Sequence, residues 1–221
     1  MRTLAFDASG PIITVGTSEN LHKVVRRDIR AERGRGNMLE QIIDEVLNSS
    51  KWSRGDIEGI GVVVGPGSLT AIRIAWATAA GWAQAQGSPV TGWSVPAIHR
   101  RKLGDRAHHA ACCTQYRGDT FLLYNLAHIQ LHPVPVRLNG EVATIKPPAL
   151  LTGPGVIEHR AEWAAFFGPQ TEIASDEEAI IGGDQLAVWA EVDLLHGHVL
   201  PISSSPLEYG LPPDFKKLNP V

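Results

Sequence analysis

The sequence has little of what marks secreted, membrane-spanning or nucleic-acid-coating proteins. Its two cysteines, Cys112 and Cys113, are adjacent, so they form no disulfide framework, and a reducing cytoplasm is the expected compartment. No run of about eighteen apolar residues occurs, so no membrane span is expected. The opening MRTLAFDASG lacks the apolar stretch and cleavage site of a secretory leader. An excess of one charge is missing too. Twenty Lys and Arg against 23 Asp and Glu leave a net charge of -3, too little for a global basic field that would attract nucleic acid or anionic lipid.

Catalytic signatures are equally scarce. There is no G-x-S-x-G elbow, and the Gly-rich junction at 65–68 lacks the spacing and Lys of a phosphate-binding P-loop. His128 and His132 have an H-x-x-x-H spacing, but the surrounding LAHIQLHPVPV alternates like a strand, which would set the imidazoles roughly 13 Å apart. Cys112 and Cys113 on a strand would point to opposite faces, so with His108 and His109 they make a poor metal set. No catalytic residue, no metal ligand and no intrinsic cofactor are expected, beyond weak nucleotide binding.

What is present is a repeated α/β pattern. Residues 2–7, 11–17 and 22–29 read as three antiparallel strands, and 37–47 as a helix with apolar columns Met38-Ile42-Val46 and Leu39-Ile43-Leu47. Ile60–Val64 is continuously apolar, as strands buried on both faces are; an Ala-rich helix at 70–86 and a strand at 89–93 follow, implying a right-handed crossover. The second half repeats this more faintly. Strands are expected near 110–116, 119–126 and 128–138, then a strand, turn and helix at LLTGPG, which echoes VVVGPG, and a late helix capped by Ser175 or Asp184. The halves divide at 1–103 and 104–221, with a Pro-rich tail returning to the first. Arg26, Arg27, Arg30, Arg33 and Arg35 form one basic cluster, read as a solvated face or a contact for RNA or an acidic partner.

The junction Gly65-Pro66-Gly67-Ser68, followed by Thr70, has the geometry either of a phosphate cradle at a helix N-terminus or of a plain turn capped by Ser68. In the small-residue helix after it, Ile72 and Trp76 share a face that a partner helix could approach. Asp7 and Ser9 end the first strand, the place where actin- and sugar-kinase-like ATPases handle metal-nucleotide.

RTLAFDAS, GIGVVVGPGSLTAIRIAWATAAGWA and SSPLEY together resemble the TsaB (YeaZ) family of the bacterial tRNA threonylcarbamoyladenosine (t6A) machinery. The resemblance implies an α/β fold of the actin/Hsp70/sugar-kinase (ASKHA) type, two related subdomains each with a mixed sheet. It implies a non-catalytic subunit that pairs with the catalytic paralogue TsaD, pairs with itself when alone, works with a TsaE-type ATPase and meets tRNA only through the complex. Pairing would use the helices at 37–47 and 70–86, with Met38, Leu39, Ile42, Val46, Ile72, Arg73 and Trp76 at the interface and Arg73 anchoring the helix or meeting a carboxylate. The chain departs from the family at RGRGNMLE (33–40), at Thr114 and Tyr116, at Ala71 and Ala75, and at Gly210. The alternative is an ATP-dependent phosphotransferase of the same fold, using Asp7 and the Gly65–Ser68 turn.

Overall fold

The computed structural model describes residues 1–31, 38–128, 133–138 and 145–210. Strands β1 (Arg2–Asp7), β2 (Ile12–Glu19) and β3 (His22–Arg30) form an antiparallel meander. Helix α1 (Met38–Ser50), strand β4 (Gly59–Val63), helix α2 (Leu69–Gln86), strand β5 (Val90–Trp93) and helix α3 (Val95–Leu103) complete the first half. In the second half, β6 (Ala110–Arg117), β7 (Thr120–Asn125) and β8 (Val134–Arg137) precede β9 (Leu150–Thr152), helix α4 (Arg160–Phe167) and β10 (Glu172–Ile173). Helices α5 (Asp176–Ala179) and α6 (Gly183–Leu195) follow.

The two sheets have orders β3-β2-β1-β4-β5 and β8-β7-β6-β9-β10, the same topology used twice, each with an antiparallel meander and two parallel strands. The echo between the two Gly-Pro-Gly strand ends is therefore structural: each ends the strand that pairs in parallel with the first strand of its half.

Alternation decides what each face of the first sheet meets. Leu4, Phe6, Ile13, Val15, Ile60 and Val62 point to one side, where α1 and α2 close over them in a single apolar cluster. The opposite side is lined by small residues, and α6 lies on it at backbone distance. A Cβ on Gly61 would meet that of Ala190 at 2.7 Å, and the start of α6 at Gly183 abuts Val15 and Gly16. Thr14 ties this contact down, its hydroxyl accepting from Gly183 N–H (2.7 Å) and donating to Asp28 (2.6 Å). Further along α6, the buried carboxylate of Glu191 takes the Met1 ammonium at 3.2 Å and hydrogen bonds from Ser18 and Leu21.

Three details differ from the sequence reading. The expected late helix is two: Ser175 caps the short α5 through a capping box, whereas α6 starts after Gly182, with Asp184 inside its first turn. Of the strand expected at 128–138, the described residues show Val134–Arg137; residues 129–132, and so His132, lie outside the described residues. Helix α3 was not anticipated, although Ser94, Pro96 and the basic run Arg100–Lys102 are start and stop signals. It locks the halves together. Lys102 donates to the carbonyls of Glu178 (2.8 Å) and Ile180 (3.0 Å) at the end of α5, and buried His99 meets Thr152 of β9 (3.3 Å).

Candidate functional site

The first candidate is the junction of β4 with α2. The peptide bond before Pro66 is cis, and Ser68 is the N-cap residue but makes no side-chain cap hydrogen bond. Its N–H instead donates to the carbonyl of Ser9 at 2.9 Å. Gly67 packs against that carbonyl so closely that a Cβ has no room. Gly65 has φ +108°, and the carbonyl of Glu208 in the returning tail lies 2.5 Å from where its Cβ would be. The glycines are thus accounted for by backbone packing: the β1–β2 turn presses on one side of the junction and the tail on the other. Thr70 lies exposed in the first turn of α2.

Asp7 accepts a 2.7 Å bond from Ser9 N–H, and its loss of hydration raises its pKa above the ordinary carboxylate value, hydrogen bonding from Ser9 opposing. Beside this turn a cleft of about 570 Å³ opens between the halves, lined by Ser9, Gly10, Ser68, Tyr116, Arg117 and Pro154 among others. Arg30 and Glu158 form an ion pair across it from opposite halves. Thr114 and Tyr116, at two of the departures, sit differently: Tyr116 lines the cleft and Thr114 is fully buried. Among the described residues no three His, Cys, Asp or Glu side chains come together as a metal set.

The second candidate is the outer surface of α1 and α2. Here most of the expected interface residues lie beneath the surface. Met38, Leu39, Ile42, Val46, Ile72 and Trp76 are all 8 % exposed or less within their own chain, and all but Ile72 belong to the cluster beneath α1 and α2. Their i, i+4 spacing marked the inward face of each helix; burial of each large side chain stabilises the fold by about 1.5–3 kcal/mol. Arg73 is exposed and meets an aromatic ring rather than a carboxylate, with its guanidinium 5.6 Å from the centre of Tyr209 in the tail.

The outward stripe of α2 is Thr70, Arg73, Ala77, Gly81 and Gln84, none of them apolar and large. Thr78 donates to Glu40 of α1 (3.2 Å), and Arg54, paired with Glu40 and Asp44, lies over the ring of Trp82, so the two helices present one continuous surface. Inside α2, Gly81 faces open space: its own helix aside, none of the described residues lies within 4 Å of where its Cβ would be. Of the basic cluster, Arg26 pairs with Asp28 and Arg30 with Glu158; Arg33, Arg35 and the departure at Gly34–Gly36 lie outside the described residues.

The twice-used sheet topology, with its cleft between halves, defines the actin/Hsp70/sugar-kinase class of folds. Known structures agree. YeaZ from Pseudomonas aeruginosa superposes with a TM-score of 0.68 at 17% identity, covering 94% of this chain and 99% of that one. The (R)-2-hydroxyglutaryl-CoA dehydratase component A of Acidaminococcus fermentans follows at 0.52, with 11% identity over 88% and 99%. The activator of the 2-hydroxyisocaproyl-CoA dehydratase from Clostridium difficile, with bound ADPNP, gives 0.51, with 10% identity over 92% and 100%. The sequence model of the family described as "TsaD: tRNA N6-adenosine threonylcarbamoyltransferase" matches residues 30–101. No curated protein matches the chain. Within the class, the likeness to YeaZ is one of fold, and the TsaD-type sequence match is confined to the segment that holds α1, β4, α2, β5 and most of α3.

Proposed function

We propose that this chain is a protein-binding subunit of the t6A tRNA-modifying machinery that pairs, through the outer face of α1 and α2, with a TsaD-type paralogue. The observation that carries this is Gly81. A glycine inside an exposed helix costs about 1 kcal/mol relative to alanine, and nothing among the described residues requires one there. Close approach of a second helix requires one, and Ala77 on the same stripe leaves similar room. The matched segment, 30–101, contains both helices. The same face serves self-pairing when the partner is absent. A TsaE-type ATPase and tRNA would join through the complex, in the cytoplasm; among the described residues no helix is long and apolar enough to cross a membrane.

The test is co-purification with the TsaD of the same organism, read by light scattering. Trp76→Asp is unsuitable, because a charge in the core would unfold the chain. Gly81→Arg fills open space and leaves the monomer intact, so it should abolish the pair while Gly81→Ala weakens it less and raises the melting temperature of the free chain. A Gly81→Arg protein that still forms the complex rules this face out. The second reading, ATP-dependent phosphotransfer, draws on the cleft beside Asp7 and Ser9. It requires magnesium-ATP to give saturable heat with the isolated chain, and an Asp7→Ala variant to lose it.

A further inference from the structure

The second half carries a pocket whose place follows from the topology. In the first half the connection between β3 and β4, residues 31–58, contains α1, which roofs β2 and β3. The matching connection between β8 and β9 is only residues 138–149, and its described end, 145–149, runs as a wall, with Ala149 N–H bonded to the carbonyl of His109 (2.8 Å). Helix α4 covers part of the sheet: Trp163 stacks edge-on to Phe121 at 5.3 Å. Its eight residues span only about 12 Å, against about 26 Å for the eight of β6.

At the end of that face beyond α4, the described residues line a cavity of about 590 Å³, within the range of small-molecule sites. Ala111, Leu123 and Val134 share its floor by strand register, and Phe167 closes one side. Its rim carries Lys146, His108 and His109, all exposed, and no carboxylate is among the described lining residues, although the chain as a whole is net negative. Asn125 adds a donor: its side-chain carbonyl accepts from Ala127 N–H (2.9 Å), and its amide N–H₂ group has no partner among the described residues.

We infer that this pocket binds an amphipathic carboxylate, its apolar body on the Leu123–Val134 floor and its anionic head at Lys146 and the two histidines. The site lies at the opposite end of β6 from the cleft, at Ala110 and Ala111 against 115–118, and none of its described lining residues belongs to α1 or α2, so it is independent of the pairing proposed above.

Calorimetric titration of the full chain with decanoate, and with decanol as the uncharged match, tests it. Saturable decanoate binding is expected, about tenfold tighter than decanol. Lys146→Glu, on an exposed side chain, should weaken decanoate about tenfold at unchanged melting temperature, and Val134→Asp should weaken both ligands. Absence of saturable decanoate binding, equal binding of decanol, or a Lys146→Glu protein that binds decanoate as before would each overturn the assignment.

Discussion

Asp7 and His99 show how burial at a single side chain sets the response of the fold to pH. The folded protein holds Asp7 above the ordinary carboxylate value of 3.8, so the unfolded chain releases that proton first and ionisation costs stability as pH rises. Asp7→Asn keeps the acceptor for Ser9 N–H and should raise the melting midpoint at pH 7.5, with the gain vanishing below pH 3.8; a variant less stable at pH 7.5 would refute this. His99 works in the opposite direction. Burial, with a smaller contribution from Lys102, pushes it down to about 3 from 6.5, so the unfolded chain takes up a proton that the folded one refuses. Stability present above pH 6.5 is lost as pH falls toward 3, by about 2 kcal/mol between 6.5 and 5. In His99→Gln that part of the acid slope should disappear from denaturant titrations.

Among the elements, α6 against the first sheet is held by the closest packing in the molecule that glycine makes possible. Gly61→Val would drive its side chain into Ala190, Trp93 and Ala5, all within 3.1 Å of the new Cβ. Overpacking of this kind costs about 1–3 kcal/mol, which lowers the melting temperature by roughly 2–4 °C per kcal/mol in a chain this size. An unchanged melting temperature would mean that α6 can slide away from the sheet. None of this was legible in the sequence, because a glycine in a strand does not say which helix will lie on it. Strand β1 and the outlines of α1 and α2 were legible, since period-2 and period-3.6 patterns register burial directly. The same periodicity finds the face that a helix turns toward its own core, while the exposed stripe at Arg73, Ala77 and Gly81 has no apolar signal to read. The cleft, assembled from turns about a hundred residues apart, and the pocket beneath β6–β8 were invisible for the further reason that both depend on what lies next to what.

For the whole molecule, the halves are repeats in topology but not in independence. Helix α3 belongs to the first half by sequence and packs into the core of the second, while α6 comes late in the chain and covers the first sheet. A fragment of residues 1–103 is therefore expected to expose the face that α6 should cover and to aggregate, and co-expression with residues 104–210 should restore soluble material; a soluble, cooperatively melting 1–103 fragment would refute it. On the ribosome the same arrangement sets a waiting time. The first sheet is complete once Trp93 has emerged, but its second cover arrives only with Leu195, roughly 5–20 s later at about 5–20 residues per second. Throughout that interval the nascent chain carries a sheet face still bare of its covering helix, and leaves the hydroxyls of Thr14 and Ser18 without their partners on α6, so its dependence on chaperones during synthesis should exceed what the finished protein's stability would suggest.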